Sequence, residues 1–209
     1  RTEGKWLLAE GADAAAMTRS IPMEKALEDC LVAFKMNGEA LRPEQGYPVR
    51  LVVPGWEGNM WIKWLRRIEV MDGPVESREE TSKYTDTMAD GSARKWTWEM
   101  DAKSVVTSPS PQSPITHGSG PLVITGLAWS GRGSITGVDV SIDGGKTWTE
   151  ARLGAPGVDK ALARFYLDVN WDGSEMLLQS RARDSAGYVQ PTKAELREVR
   201  GLNSIYHNN

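Results

Sequence analysis

The sequence has one cysteine, Cys30, and two histidines, His117 and His207, among 209 residues. A single thiol excludes an intrachain disulfide and a thiolate zinc cluster, and it leaves no C-x-x-C-H site for covalent haem. Cys30 falls on the apolar side of a short helical pattern, where a free cysteine behaves as a small buried hydrophobe. His117 sits in a Gly/Ser stretch and His207 near the end of the chain, so neither has the neighbours of a metal site or a catalytic triad. No metal ligand is expected within this chain. No apolar run approaches the roughly 20 residues needed to cross a bilayer, so no membrane span is expected. The net charge of -3 comes without a basic stripe that would displace counterions from phosphates, which argues against nucleic acid as a partner. The first residue is Arg1, with no charged n-region and apolar h-region behind it. The expectation is that both ends are cut and that any targeting signal lies outside.

What is present reads as a soluble globular protein with one large core or two ordinary ones. Met23, Ala26, Leu27, Cys30 and Leu31 recur at helical spacing, which predicts a short helix over 22–31 with Ser20 as N-cap and one buried face. Asn37-Gly38 marks a turn. The Val/Leu run 47–54 predicts a largely buried strand, and the alternation over 61–70 suits a second strand. From 73 to 101 the chain turns polar and is expected to wander over the surface. The Pro/Ser stretch 108–114 continues neither helix nor central strand, which puts a boundary just before it and divides the chain into domains 1–101 and 102–209. Beyond it, β-rich runs at 122–129, 135–142, 147–153, 163–169 and 176–184 predict an antiparallel, immunoglobulin-like sandwich. Ser204 to His207 reads as the approach to a further strand.

Chemistry concentrates around one cation. Arg50 stands inside a strand that is otherwise Val and Leu, where an unpaired guanidinium is costly and needs an anionic or carbonyl-rich partner. Lys63 follows the loop 54–59, placed so that its ammonium and the exposed N–H groups of that loop receive the same anion. Residue types alone favour a plainer alternative, an internal salt bridge from Arg50 to Glu57 or Glu69. In the second half, Asp143-Gly144-Gly145-Lys146 with Trp148 reads as a hairpin turn anchored by an aromatic ring. The same letters fit an Asp-box found in sugar-binding proteins, for which the turn alone is the better explanation. Arg132, between glycines, is expected to present its side chain rather than pack it.

The segment Gly46-Tyr47-Pro48-Val49-Arg50-Leu51-Val52-Val53-Pro54-Gly55, followed by Ile62-Lys63-Trp64-Leu65, resembles the paired segment that lines the molybdopterin pocket of the sulfite oxidase family. Three later segments, 124–133, 138–148 and 181–191, are similar to the dimerisation domain of that family. The resemblance implies an α+β, mostly β chain: the rear part of a molybdopterin domain, then an Ig-like β-sandwich through which two copies pair. It implies a molybdenum-molybdopterin cofactor, with Arg50 and Lys63 on the pterin or its terminal phosphate and Trp61 and Ile62 contributing through backbone. Gln45 stands where animal and plant members have histidine; its amide still hydrogen-bonds a pterin edge but carries no charge. An arginine near Arg132 reaches substrate in the family, although the matching position here is nearer Ser134. The metal-ligating cysteine belongs to an earlier segment that this chain lacks.

Segments 5–13, 77–86, 177–182 and 203–209 resemble the bacterial sulfane dehydrogenase branch of the family more than sulfite oxidases proper. That implies a periplasmic enzyme oxidising sulfane sulfur on a carrier protein and passing electrons to a c-type cytochrome. With no haem attachment motif in the chain, that cytochrome is a separate polypeptide. Sulfite is the neighbouring substrate reading. A noncatalytic Ig-like binding module is the reading from a different class. The chain by itself is expected to have little or no activity.

Overall fold

A computed structural model describes residues 3–88, 90–155 and 158–200. The expected strand at Ser204 to His207, the histidine within it and the segment 203–209 lie outside the described residues. The chain divides into two compact units, Arg1–Trp98 and Glu99–Asn209, so the contact boundary falls slightly ahead of the 101/102 division. No helix among the described residues is long and apolar enough to cross a membrane.

In the first unit β1 (Trp6–Gly11) is the middle strand of an antiparallel sheet, flanked by β2 (Thr18–Pro22) and by β7 (Leu65–Met71). Between these flanks run α1 (Met23–Glu28), β3 (Leu31–Ala33), a hairpin of β4 (Lys35–Met36) and β5 (Glu39–Ala40), and β6 (Arg50–Val52), which pairs with β3. Asn37 and Gly38 turn that hairpin with positive φ. Ala9, Ile21, Leu51, Val53, Trp56, Met60 and Ile62 form the core. A small hairpin of β8 (Asp86–Thr87) and β9 (Ala93–Arg94) lies near the end of the unit.

Several expectations need correction here. The helix spans six residues rather than 22–31, and its N-cap is Pro22; Ser20 lies in β2, buried, with its N–H and hydroxyl donating to Glu80. Leu27 is 79% exposed and Leu31, already in β3, is 60% exposed, so the apolar face does not form. One and a half turns are too few to repeat a stripe, and the buried member is Lys25. Its ammonium reaches the Pro54 carbonyl at 2.9 Å and Asp29 at 2.6 Å. The second strand starts at Leu65, because Trp61 to Trp64 form a loop that ends with Trp64 in left-handed conformation (φ 50°). The polar stretch 73–101 runs mostly over the surface, as expected, but it reaches inward at isolated points: Glu80 is buried in a π-helical turn over Glu79–Lys83, and the half-buried Trp98 stacks on Trp56 at 4.6 Å while Trp6 and Trp96 close around it.

The second unit is an antiparallel sandwich. Its strands are β10 (Lys103–Ser108), β11 (Gly120–Trp129), β12 (Ile135–Ser141), β13 (Thr149–Leu153), β14 (Ala163–Trp171) and β15 (Gln179–Asp184), in the order β10-β11-β14-β13-β12-β15. β13 pairs with β12 through Thr149 to Ala151 and with β14 through Arg152 and Leu153, so one strand passes between the layers. Ile124, Ala128, Phe165 and Leu167 from one layer meet Val138, Val140 and Ala182 from the other. The alternation expected of a sandwich is therefore present. β10 and a closing helix α2 (Lys193–Arg200) were not anticipated. The helix start carries a capping box: Thr192 Oγ1 accepts the Glu195 N–H at 3.3 Å, and the Glu195 carboxylate accepts the Thr192 N–H at 2.8 Å.

The turn at Asp143 is structural. Its carboxylate accepts the Lys146 and Thr147 N–H groups, both at 2.9 Å, and the Thr147 and Ser141 hydroxyls at 2.6 and 2.7 Å. The Trp148 indole donates to the Gly145 carbonyl at 3.1 Å, and Gly144 and Gly145 supply positive φ. These donors, the Thr147 hydroxyl foremost, hold the Asp143 carboxyl well below the usual carboxylate range.

Two stability predictions follow from this packing. Phe165→Ala, at a fully buried ring, is expected to cost about 3–5 kcal/mol in urea denaturation. Asp143→Asn is expected to lower the melting temperature at neutral pH. A depressed folded pKa stabilises above the unfolded value of about 4, and that advantage disappears as pH falls toward the folded value. The gap between parent and variant in thermal melts should therefore narrow below about pH 4, and a gap independent of pH would contradict the assignment.

Candidate functional site

The loop after β6 and the turn before it face each other through backbone bonds. Leu51 N–H donates to the Ile62 carbonyl at 2.8 Å, and Leu65 N–H donates to the Val49 carbonyl at 2.9 Å. Between these two pins the turn Gln45-Gly46 packs against Lys63. Gly46 has φ 105°, and a Cβ there would lie 2.8 Å from Lys63 Cβ and 2.9 Å from Lys63 Cα. Only glycine meets both demands. The fold thereby gathers Gln45, Arg50, Trp61, Ile62 and Lys63 around one turn, although they are spread over two sequence segments.

Arg50 has no acidic partner among the described residues. Its Nη1 donates to the Gln45 carbonyl at 2.9 Å and its Nη2 to the Trp61 carbonyl at 3.2 Å, while its Nε is buried without a protein acceptor. Burial holds the guanidinium below its ordinary pKa. The salt-bridge alternative is overturned: Glu69 pairs with Arg67, and Glu57 accepts from Asn59 at 2.7 Å. Lys63, half-buried, donates to the Glu44 carbonyl at 3.0 Å and lies over the Trp64 ring at 4.7 Å. Both cations are thus positioned by neutral carbonyls and keep their charge available to an anion.

The other expected contributors are partly occupied. The Trp61 N–H donates to the Gly58 carbonyl at 3.1 Å and the Ile62 N–H to the Met60 carbonyl at 3.1 Å, so these donors serve the loop itself rather than standing exposed. The Ile62 side chain is in the core. The Gln45 amide oxygen accepts the Arg42 N–H at 2.9 Å, which leaves its NH2 group to donate. Arg132 lies in the second unit and is exposed, as expected, but its guanidinium is held rather than free. Its Nη2 meets the buried Asp101 at 2.7 Å, and its guanidinium lies over the Tyr188 ring at 5.4 Å. Sequence reasoning missed Arg19, a third guanidinium, in β2. Its neighbours Thr18 and Ser20 are polar, so the oily-strand anomaly that marks Arg50 beside Leu51 is absent there.

Residues 1–79 match the oxidoreductase molybdopterin binding domain, and residues 94–209 match the Mo-co oxidoreductase dimerisation domain. The chain belongs to the sulfite oxidase family. It is 37% identical to sulfite oxidase of Gallus gallus over 98% of this chain and 49% of that protein. It is 30% identical to a nitrate reductase of Hordeum vulgare over 85% of this chain and 23% of that protein. The structure of the sulfane dehydrogenase SoxCD from Paracoccus pantotrophus matches with 70% identity and a TM-score of 0.96 over all of this chain and 54% of that one. The resemblance to the sulfane dehydrogenase branch is borne out by that identity. The chain spans about half the length of these sulfite oxidase and sulfane dehydrogenase relatives, or less.

The group this family binds is a molybdopterin, an acceptor-rich heterocycle with a phosphate tail. The residues fit it: a half-buried guanidinium with N–H groups to spare, an ammonium held by a carbonyl and an amide NH2 supply donors for the phosphate and for the acceptor atoms of the heterocycle. Among the described residues no cluster of His, Cys, Asp and Glu is placed to hold a metal ion. Gly46→Ala is expected to destabilise the first unit by about 1–3 kcal/mol through forced positive φ and displacement of Lys63. An unchanged denaturation midpoint would show that the turn is not packed as described.

Proposed function

We propose that this chain supplies the cationic side of the molybdopterin site in an oxidoreductase of sulfur compounds. The single observation that carries the reading is the pair Arg50 and Lys63, both anchored by carbonyl oxygens and neither neutralised by an acid among the described residues. Arg50, oriented by the Gln45 and Trp61 carbonyls, turns the second N–H of its Nη atoms toward the pterin or its phosphate. Lys63 adds a compact charge at the rim, and Gln45 donates from its amide. Trp61 and Ile62 act through the shape of their loop. When bound, the molybdenum cofactor supplies oxygen-atom transfer with a two-electron change.

The substrate we infer is sulfane sulfur on a carrier protein, supported by the 70% identity to a sulfane dehydrogenase. Sulfite is the second reading, supported by the 37% identity to a sulfite oxidase. Electrons then pass to a c-type cytochrome, a reading supported by the likeness to the sulfane dehydrogenase SoxCD. The second unit pairs two copies, in keeping with its match to a dimerisation domain. A periplasmic location accompanies the sulfane dehydrogenase reading. A noncatalytic binding module is disfavoured, because the Asp143 turn spends its carboxylate on its own backbone and hydroxyls. Arg132, bound to Asp101, remains a candidate substrate contact only if that pair opens.

In the full-length protein, Arg50→Met and Lys63→Met are each expected to lower retained molybdopterin by about tenfold or more, given roughly 1.5–3 kcal/mol for a charge-assisted bond. The check is the fluorescence of the oxidised pterin released after dialysis. Retention equal to the parent in both variants would remove the cofactor role. This chain expressed alone should not oxidise sulfite or a sulfane donor, and turnover by it would refute that part of the proposal.

A further inference from the structure

Among the described residues Arg19 is the largest side chain that is almost completely buried, 1% exposed, and no acid there pairs with it directly. Its Nε donates to Asn59 Oδ1 at 3.1 Å, its Nη1 reaches the Thr18 carbonyl at 3.4 Å, and its Nη2 is buried without a partner. The Tyr84 ring lies over the guanidinium at 4.3 Å. Glu57 and Glu80 line the same small cavity, yet Glu80 is occupied by the Ser20 and Ser77 N–H groups and Glu57 by the Asn59 amide. Desolvation holds the Arg19 pKa below its ordinary value, opposed by Tyr84 and the surrounding glutamates. Burying a charge in this way is a poor route to stability, since an apolar side chain of similar volume often serves as well or better.

What the charge does hold is the loop. Asn59 is fixed at both ends of its amide, accepting from Arg19 and donating to Glu57 at 2.7 Å. Glu57 receives the Met60 N–H on its carbonyl at 2.9 Å and gives its own N–H to the Trp98 carbonyl at 2.7 Å. Asn59 is the middle residue of the 3-10 turn Gly58–Met60, and the next residues are Trp61, whose carbonyl orients Arg50, and Lys63. We propose that Arg19 is a positioning residue for the pterin-binding loop, acting through Asn59 and Glu57 to set where the Trp61 carbonyl and the Lys63 ammonium stand. The inference rests on reading Arg50 and Lys63 as cofactor cations.

The test uses the full-length protein with Arg19→Met, Asn59→Ala and the double variant Arg19→Met/Lys63→Met. Two quantities are read: molybdopterin retained after dialysis, and the melting temperature of protein made in a molybdopterin-deficient host. Arg19→Met and Asn59→Ala should each reduce retention by about tenfold, while the cofactor-free melting temperature stays within a few degrees of the parent. Arg19→Met should cost much less when Lys63 is already replaced, because the two act through one loop. Parental retention in both single variants overturns the proposal, as does a loss that multiplies in full with Lys63→Met or that tracks the cofactor-free melting temperature. If Arg19→Met fails to fold, Asn59→Ala, which keeps the buried charge, decides alone by the same retention criterion. A parent protein that holds no molybdopterin would instead sink the functional reading itself, before any variant is made.

Discussion

The first unit depends on how a guanidinium is satisfied without an acid. Arg50 leaves water on a strand whose neighbours are Leu51 and Val53, and the fold answers with two carbonyl oxygens from separate segments. A carboxylate in that place would have neutralised the charge and closed the site; carbonyls orient the side chain and leave its field intact. Because one acceptor belongs to Gln45 and the other to Trp61, the same bonds that satisfy Arg50 also tie the turn before β6 to the loop after it. Binding chemistry and local stability therefore rest on the same pair of contacts.

The rest of the unit supports that arrangement from below. The Leu51 N–H donates to the Ile62 carbonyl while both side chains enter the core, so the loop is anchored by burial at the position next to Lys63. Gly46 allows the turn to touch the Lys63 backbone. The stacked Trp56 and Trp98 bring the end of the first unit down onto its core. The second unit obeys a different logic, that of a sandwich whose two layers share β13 and whose polar turns consume their own side chains.

Much of this was legible in one dimension. The β-rich runs of the second half have period-2 patterning, and that pattern survives folding because each strand has one buried face. The anomaly of Arg50 inside an oily strand was visible for the same reason. The helix at 22–31 was not, because Leu27 and Leu31 share helical spacing but belong to different elements, and spacing says nothing about what lies opposite. Within the exposed stretch 73–101 the inward points were hidden: Trp96, Trp98 and Glu80 are scattered among polar residues, so no local period announces the half-buried rings or the buried carboxylate. The Thr192–Glu195 capping box was a readable signal for α2 that the strand pattern overshadowed.

By itself the sequence determined the β-rich division into two units, the family, and the two cations on which the site is built, since each depends on residue type and local order. Only the tertiary structure decided what those cations touch. Glu57 and Glu69 lie near Arg50 along the chain, yet one accepts from Asn59 and the other pairs with Arg67, while the carbonyls of Gln45 and Trp61 arrive instead. Backbone acceptors are present at every position and so leave no mark in a sequence; which of them meets a given guanidinium is settled by the path of the chain.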